Sequence, residues 1–184
     1  MNWQIPGTVL EIPMEEVQYI PEQFQSMFLP GGMVLSQVAG VTGLEPHTIQ
    51  NWVKRGFLPP PINKRYTLEQ LCRIMSIHML RGILPMERIC ALLGYVNGRL
   101  DDEGDDIIDD SQLYFLFVRL AAQASSLGGP ETWESVLESS LAQYAEPVPG
   151  AKDRVKKALR IMLTAWGAAK LRQQAENLLQ QLEI

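Results

Sequence analysis

Apolar residues recur along this chain at helical spacing far more often than in alternation, and the stripes divide it into a series of predicted helices. Leu68, Leu71, Ile74, Met75 and Met79, with His78 among them, share a stripe that predicts a helix to about Arg81. A second stretch, Met86–Leu93, closes at Gly94. Residues 111–126 carry Leu113, Phe115, Leu116, Phe117, Val118, Leu120 and Ala121, apolar on nearly every side, which predicts a buried helix. Residues 130–145 set Trp133, Val136, Leu137, Leu141 and Tyr144 on one face. Beyond Pro147 and Pro149, residues 151–182 read as one long helix. Val155, Leu159, Met162, Trp166 and Ala169 keep a four-three spacing there. Leu171, Ala175, Leu178 and Leu182 then restart it two residues out of phase near Gly167. No internal repeat is evident.

The front of the chain is more broken. Pro6, Pro13, Pro21 and Pro30 cut residues 1–32 into short pieces, an arm with one helical stretch around Met14–Phe28, where Met14, Val17, Phe24 and Phe28 share a rough face, so the arm is expected to pack on something. Residues 33–56 then give a short amphipathic helix, a Gly43 turn, and a second helix with Pro46 at its first turn and Gly56 just past its end. Phe57-Leu58-Pro59-Pro60-Pro61 forces an extended exit, because proline fixes φ and lacks an N–H. Residues 62–66 suit a small β-wing, and Thr67 with Gln70 three residues on forms a capping-box pattern. The expected fold class is all-α, with at most that wing as sheet.

At 184 residues with 46% hydrophobic content, the chain has room for one domain plus a sizeable extension, or for two small domains. The formal charge of −5 argues against nucleic acid until its distribution is considered. Residues 33–99 hold eight Lys and Arg against three Glu, a balance of +5, while residues 1–32 hold four Glu and no base. Residues 101–110 hold seven acids and no base, and are the expected linker. Gly104 within that run does not make an EF-hand, since a loop with glycine at its sixth position would start at Arg99. A sharper alternative is that the run covers the basic helix and tunes its affinity. Cys72 and Cys90 sit among apolar residues with no CxxC or Cys/His cluster, so buried thiols in a reduced, cytoplasmic compartment are expected, with no metal. No signal peptide and no membrane span are expected. With two histidines, no phosphate loop and no GxSxG, no enzymatic activity and no cofactor are expected.

Leu35-Ser36-Gln37-Val38-Ala39 with Thr42-Gly43, then Pro46-x-Thr48-Ile49, Gly56-Phe57-Leu58-Pro59-Pro60, Arg65-Tyr66, Leu68-Glu69-x-Leu71 and Ile89-Cys90-Ala91-Leu92-Leu93-Gly94 follow one another in an order that resembles the DNA-binding domain of the MerR family of bacterial transcription regulators. A closer similarity, over roughly residues 25–125, is to an uncharacterised bacterial group with this head and no assigned role. The chain departs from the MerR pattern at Gln50, Asn51-Trp52 and Val53, where that family carries an Arg, an aromatic pair and a Glu, and at Glu45, where it carries a Ser. The resemblance implies an N-terminal arm at 1–32, a winged helix-turn-helix at 33–96, a linker at 97–110, and a helical region at 111–184 for dimer contacts, effector binding or both. It implies double-stranded DNA, a homodimer and a small-molecule effector as partners.

On that reading the second helix enters the major groove. Ile49, Trp52 and Val53 form its inward stripe, and His47, Thr48, Gln50, Asn51, Lys54 and Arg55 are left outward or flanking. Gln50 and Asn51 have the donor and acceptor pair that meets adenine N6 and N7, and Thr48 has a methyl for thymine. Lys54, Arg55, Lys64 and Arg65 are the phosphate contacts, supported by Asn63 and Tyr66. Trp133, Tyr144, Trp166 and Phe115 could line an effector pocket, although each also suits the core. Two alternatives share the fold: a protein-interaction module that has lost DNA binding, and an architectural DNA-binding protein of the excisionase type.

Overall fold

The computed structural model describes residues 2–98, 100, 106–127 and 132–182, and the architecture is mostly helical. Strands β1 (Asn2–Gln4) and β2 (Glu11–Pro13) lead into a 3-10 segment (Met14–Tyr19) and α1 (Ile20–Met27). After β3 (Met33–Val34) come α2 (Leu35–Thr42), α3 (Pro46–Lys54) and β4 (Arg65–Tyr66). The longer helices follow: α4 (Leu68–Leu80), α5 (Met86–Asn97), α6 (Asp110–Ala124), α7 (Trp133–Ser140) and α8 (Ala151–Gln180).

Two helices with long, fully buried runs form the centre. Residues 70–77 of α4 are all buried, as are residues 113–118 of α6, and the two helices pack on each other. α8 lies across α4, α5, α6 and α7, while α2 packs against α3 and α4. Aromatic edges lock the layers together: Phe24 on Phe115 at 6.1 Å and Phe117 on Trp166 at 6.3 Å between ring centres. Each fully buried Leu, Ile or Phe removes enough apolar surface from water to contribute roughly 1.5–3 kcal/mol, and this sum drives the fold.

The first residues form a β-hairpin that packs into this core. β1 and β2 pair antiparallel with Trp3 opposite Ile12, a signal too short to register in the sequence pattern. Trp3, Ile5, Ile20 and Phe24 are buried. Gly7 in the hairpin loop has φ +75°, and a Cβ there would stand 2.2 Å from the Met75 carbonyl oxygen, so only glycine lets the loop lie directly on α4. Tyr114 of α6 donates its hydroxyl to Pro6 O at 2.6 Å, and the Val9 N–H donates to Val41 O at 3.0 Å.

The expected boundary at 97–110 does not separate two cores. Ile107 and Ile108 are buried, the Ile107 N–H donates to Val96 O, and the Asn97 amide donates to Ile108 O at 2.7 Å. One continuous apolar cluster runs from Trp3 to Trp166. Residues 101–105, which hold most of the acidic run, lie outside the described residues. α5 also passes the stop expected at Gly94. It ends at Gly98, which has φ +65°, because burying Leu93, Val96 and Asn97 outweighs the weak helix preference of one glycine. Among the described residues, no helix is long and apolar enough to cross a membrane.

Candidate functional site

α2 and α3 meet at a turn that glycine makes possible. Gly43 takes φ +70° and donates its N–H to Ala39 O at 2.8 Å, closing α2. The Thr42 hydroxyl donates to Val38 O and accepts the Leu44 N–H, so the turn's polar groups are satisfied while Leu44 is buried. The hairpin backs this turn, since a Cβ on Gly43 would stand 2.5 Å from Val9 Cγ1. Glu45 precedes Pro46 in extended conformation and makes no side-chain cap, consistent with its weakness as an N-cap residue.

α3 is split cleanly into two faces. Ile49 is completely buried and Trp52 is 7% exposed, with the Arg81 guanidinium 5.7 Å from the indole ring centre. His47, Gln50, Asn51, Lys54 and Arg55 are exposed, and Thr48 is half-buried. Arg55 also faces Glu87 at 3.8 Å and lies 4.6 Å over the Phe57 ring, so part of its charge is already engaged within the molecule. At the far end, Gly56 (φ +75°) donates to Val53 O and Phe57 donates to Trp52 O, the paired bonds of a Schellman cap.

The segment after α3 is held by Gln70, known from the sequence only as a cap, and by Arg73, which the sequence pattern did not single out. Gln70 accepts the Thr67 N–H while Thr67 Oγ1 accepts the Gln70 N–H, the reciprocal cap that the sequence predicts. The same Gln70 then donates its amide to Pro59 O and Pro60 O, at 3.3 and 2.9 Å. Arg73, 3% exposed, donates Nε to Phe57 O at 3.1 Å and pairs through Nη1 with Asp110 at 3.3 Å. Burial pushes the Asp110 carboxyl above its ordinary range, although the guanidinium pulls it the other way. A lone arginine between Cys72 and Ile74 in an apolar helix was the available signal, because such a charge needs a buried partner.

Beyond the prolines, Ile62 and Arg65 exchange both backbone bonds at 2.9 Å around Asn63 (φ +50°) and Lys64 (φ +61°), a two-residue hairpin turn of the primed type. β4 then pairs antiparallel with β3, Met33 opposite Tyr66. Asn63, Lys64 and Arg65 are exposed. Tyr66, expected among the surface contacts, is a core residue instead: it is 3% exposed, and burial raises its phenol pKa. Strand alternation explains this, since Arg65 and Tyr66 must point to opposite sides of β4. Arg65 donates Nη1 to Gly32 O at 2.9 Å and so tethers the turn before β3 as well as presenting charge.

The structure thus brings His47, Gln50, Asn51 and Lys54 together on one helix face and presents Asn63, Lys64 and Arg65 on the hairpin tip. Cys72 is buried and Cys90 half-buried, both with thiols pushed up by burial. The aromatic residues considered for a pocket do not converge. Phe115 and Tyr144 line an open cleft of about 1490 Å³ together with Arg73 and Asp110, whereas Trp133 and Trp166 are core residues outside it.

A mostly helical protein with one short helix held firmly from behind and polar in front is therefore the class that fold and site define. Residues 10–117 match the family described as Domain of unknown function (DUF1836), and the chain belongs to that family. It is also 31% identical over 84 residues to the Uncharacterized protein YkrK of Bacillus subtilis (strain 168), a match covering 44% of this chain and 36% of that protein. The chain thus spans little more than a third of that relative's length. No solved structure matches it.

Proposed function

We propose that the chain reads double-stranded DNA, as a sequence-specific transcriptional regulator whose α2, α3 and 62–66 hairpin form a MerR-like winged helix-turn-helix. The two-faced character of α3 carries the reading. Ile49 and Trp52 anchor it, and His47, Gln50, Asn51 and Lys54 face outward as the donor and acceptor set that major-groove base edges require. Lys64, exposed on the wing, supplies a phosphate contact. In this reading the helices after α5 provide dimer contacts. The cleft beside α6 is the place for a small-molecule effector, because Arg73 at its wall also holds Phe57, just past the end of the recognition helix.

Selection of random duplex DNA by the purified chain tests the reading, with Asn51→Ala/Lys54→Ala alongside. Arg65 is left intact because its bond to Gly32 also supports the fold. Enrichment of a motif by the wild type, lost in a variant of unchanged thermal stability, is the expected result. Equal retention of scrambled and selected duplexes by a folded wild-type protein overturns it. Affinity for the selected motif falls with salt at a slope of about −0.9 for each phosphate neutralised. A second reading, a protein-binding module without DNA affinity, draws on one specific feature: Glu45, an exposed carboxylate at the entry to α3 where phosphate would approach.

A further inference from the structure

The open cleft beside α6 holds more carboxylates than its own arginines offset. Glu22, Glu69, Asp106, Asp109 and Asp110 line it against Arg73 and Arg119, an excess of three negative charges among the described residues. Arg73 is committed to Asp110 at 3.3 Å, and Arg119 stands roughly 13 Å further along α6. Glu69 and Asp109 both add repulsion at Asp110, so this end of the cleft is crowded with like charge. Asp109 caps α6 through Oδ1 alone, which accepts from Ser111 Oγ and from the Gln112 N–H and leaves Oδ2 outside both bonds.

Asn97 is an independent sign of a ligand. It lines the same cleft at 6% exposure, and its amide nitrogen donates to Ile108 O at 2.7 Å, which fixes which way the amide points. Its Oδ1 is buried with no hydrogen-bond partner. A buried acceptor without a donor is costly, and few native side chains are left so. We infer that the cleft binds an aliphatic diamine or polyamine, whose ammonium groups meet the carboxylates and give an N–H to Asn97 Oδ1. The carboxylates come from three stretches, Glu22 of α1, Glu69 of α4 and residues 106–110, so one compact charge cannot meet them together. Among the described residues, no three such groups converge as a metal ion would require. Ile107, Phe115 and Leu116 on the same walls take the methylenes. At about 1490 Å³ the cleft exceeds the roughly 300–1,000 Å³ of a pocket for a compact ligand, which favours an extended one.

As an effector the amine rests on the regulator reading above, but its binding is measured without DNA, so the two can fail separately. Calorimetric titration of the full chain with 1,8-diaminooctane tests it. Mg²⁺ serves as the same charge without the chain, and octanoate as the same chain with the opposite charge. Saturable binding of the diamine is expected, with either control at least tenfold weaker. Glu69→Gln/Asp109→Asn keeps a capping residue at 109 and is expected to weaken the diamine at least tenfold, with the thermal transition of the free protein retained. Glu11→Gln/Glu15→Gln removes the same charge from exposed positions outside the cleft and is expected to change the affinity less than twofold. A wild type that does not bind the diamine, equal binding of Mg²⁺ or octanoate, or equal weakening by the two double variants overturns the inference. The wild-type comparison decides even where a variant unfolds. If the diamine binds and no duplex is selected, the ligand site stands and the regulator reading falls.

Discussion

α3 and the distal half of α8 both leave a helix face uncovered, and they differ in everything behind that face. α3 is seated on Ile49 and Trp52, closed by Gly56, and followed by a segment gripped by Gln70 and Arg73. The end of α8 has Arg172 on Gly82 and little else. The fronts differ just as sharply, with His47, Gln50, Asn51 and Lys54 on one and Leu171, Leu178 and Leu182 on the other. A polar face on a rigid seat suits a partner recognised by directed hydrogen bonds, since little entropy is lost when the contact forms. An apolar face on an unsupported helix suits a partner that completes the burial the helix lacks. Rigid backing and surface chemistry together, more than exposure, separate the two.

The largest effect is expected where the seat of α3 is weakened. Asp110→Asn leaves Arg73 charged and buried beside Phe57, and a broken buried pair of this kind costs about 3 kcal/mol. A urea midpoint unchanged in the variant would show that the pair is not part of the seat. Next comes the wing tip, where Lys64 occupies a left-handed conformation that glycine adopts freely. Lys64→Gly is expected to raise stability by about 1 kcal/mol and, on the proposed DNA reading, to lower the salt slope of binding by about 0.9. If stability and DNA affinity moved together, Lys64 would be acting through the fold and not through phosphate.

The smallest effect concerns the hairpin that backs the α2 to α3 turn. His78 Nδ1 lies 3.2 Å from Gly7 O, and burial, with Arg81 adding to it, lowers the imidazole pKa despite that bond. The folded state disfavours the imidazolium, so the stability from neutral His78 is present above the ordinary value of 6.5. It is lost as the pH falls through the lowered value. Thermal melts across this window should show a decline on acidification that His78→Gln flattens. A decline of the same size in the variant would assign it to other groups.

Much of α3 was legible before the structure: Pro46 at its first turn, Ile49 and Trp52 inward, Gly56 past its end, and the Thr67 and Gln70 cap of the next helix. These are local signals, each requiring one residue type within a few positions. The β1 to β2 hairpin was not legible, because three-residue strands carry too little alternation to stand out. Tyr66 was misplaced because its side depends on the register of β4 with β3, and the Arg73 to Asp110 pair joins residues far apart in the chain. The phase shift near Gly167 was visible in the sequence of α8, and the structure added which of its two stripes the body covers.

The sequence by itself determined where most of the helices lie, the Thr67 and Gly56 caps and the two-sided character of α3, because short-range periodicity and backbone preference decide those locally. Only the tertiary structure decided that the β1 to β2 hairpin and α1 are built into the core, that the helices on either side of 97–110 share one interior, that Tyr66 faces that interior, and that the end of α8 stands uncovered. Burial is a property of what packs against a residue, and that is settled by elements distant in the chain.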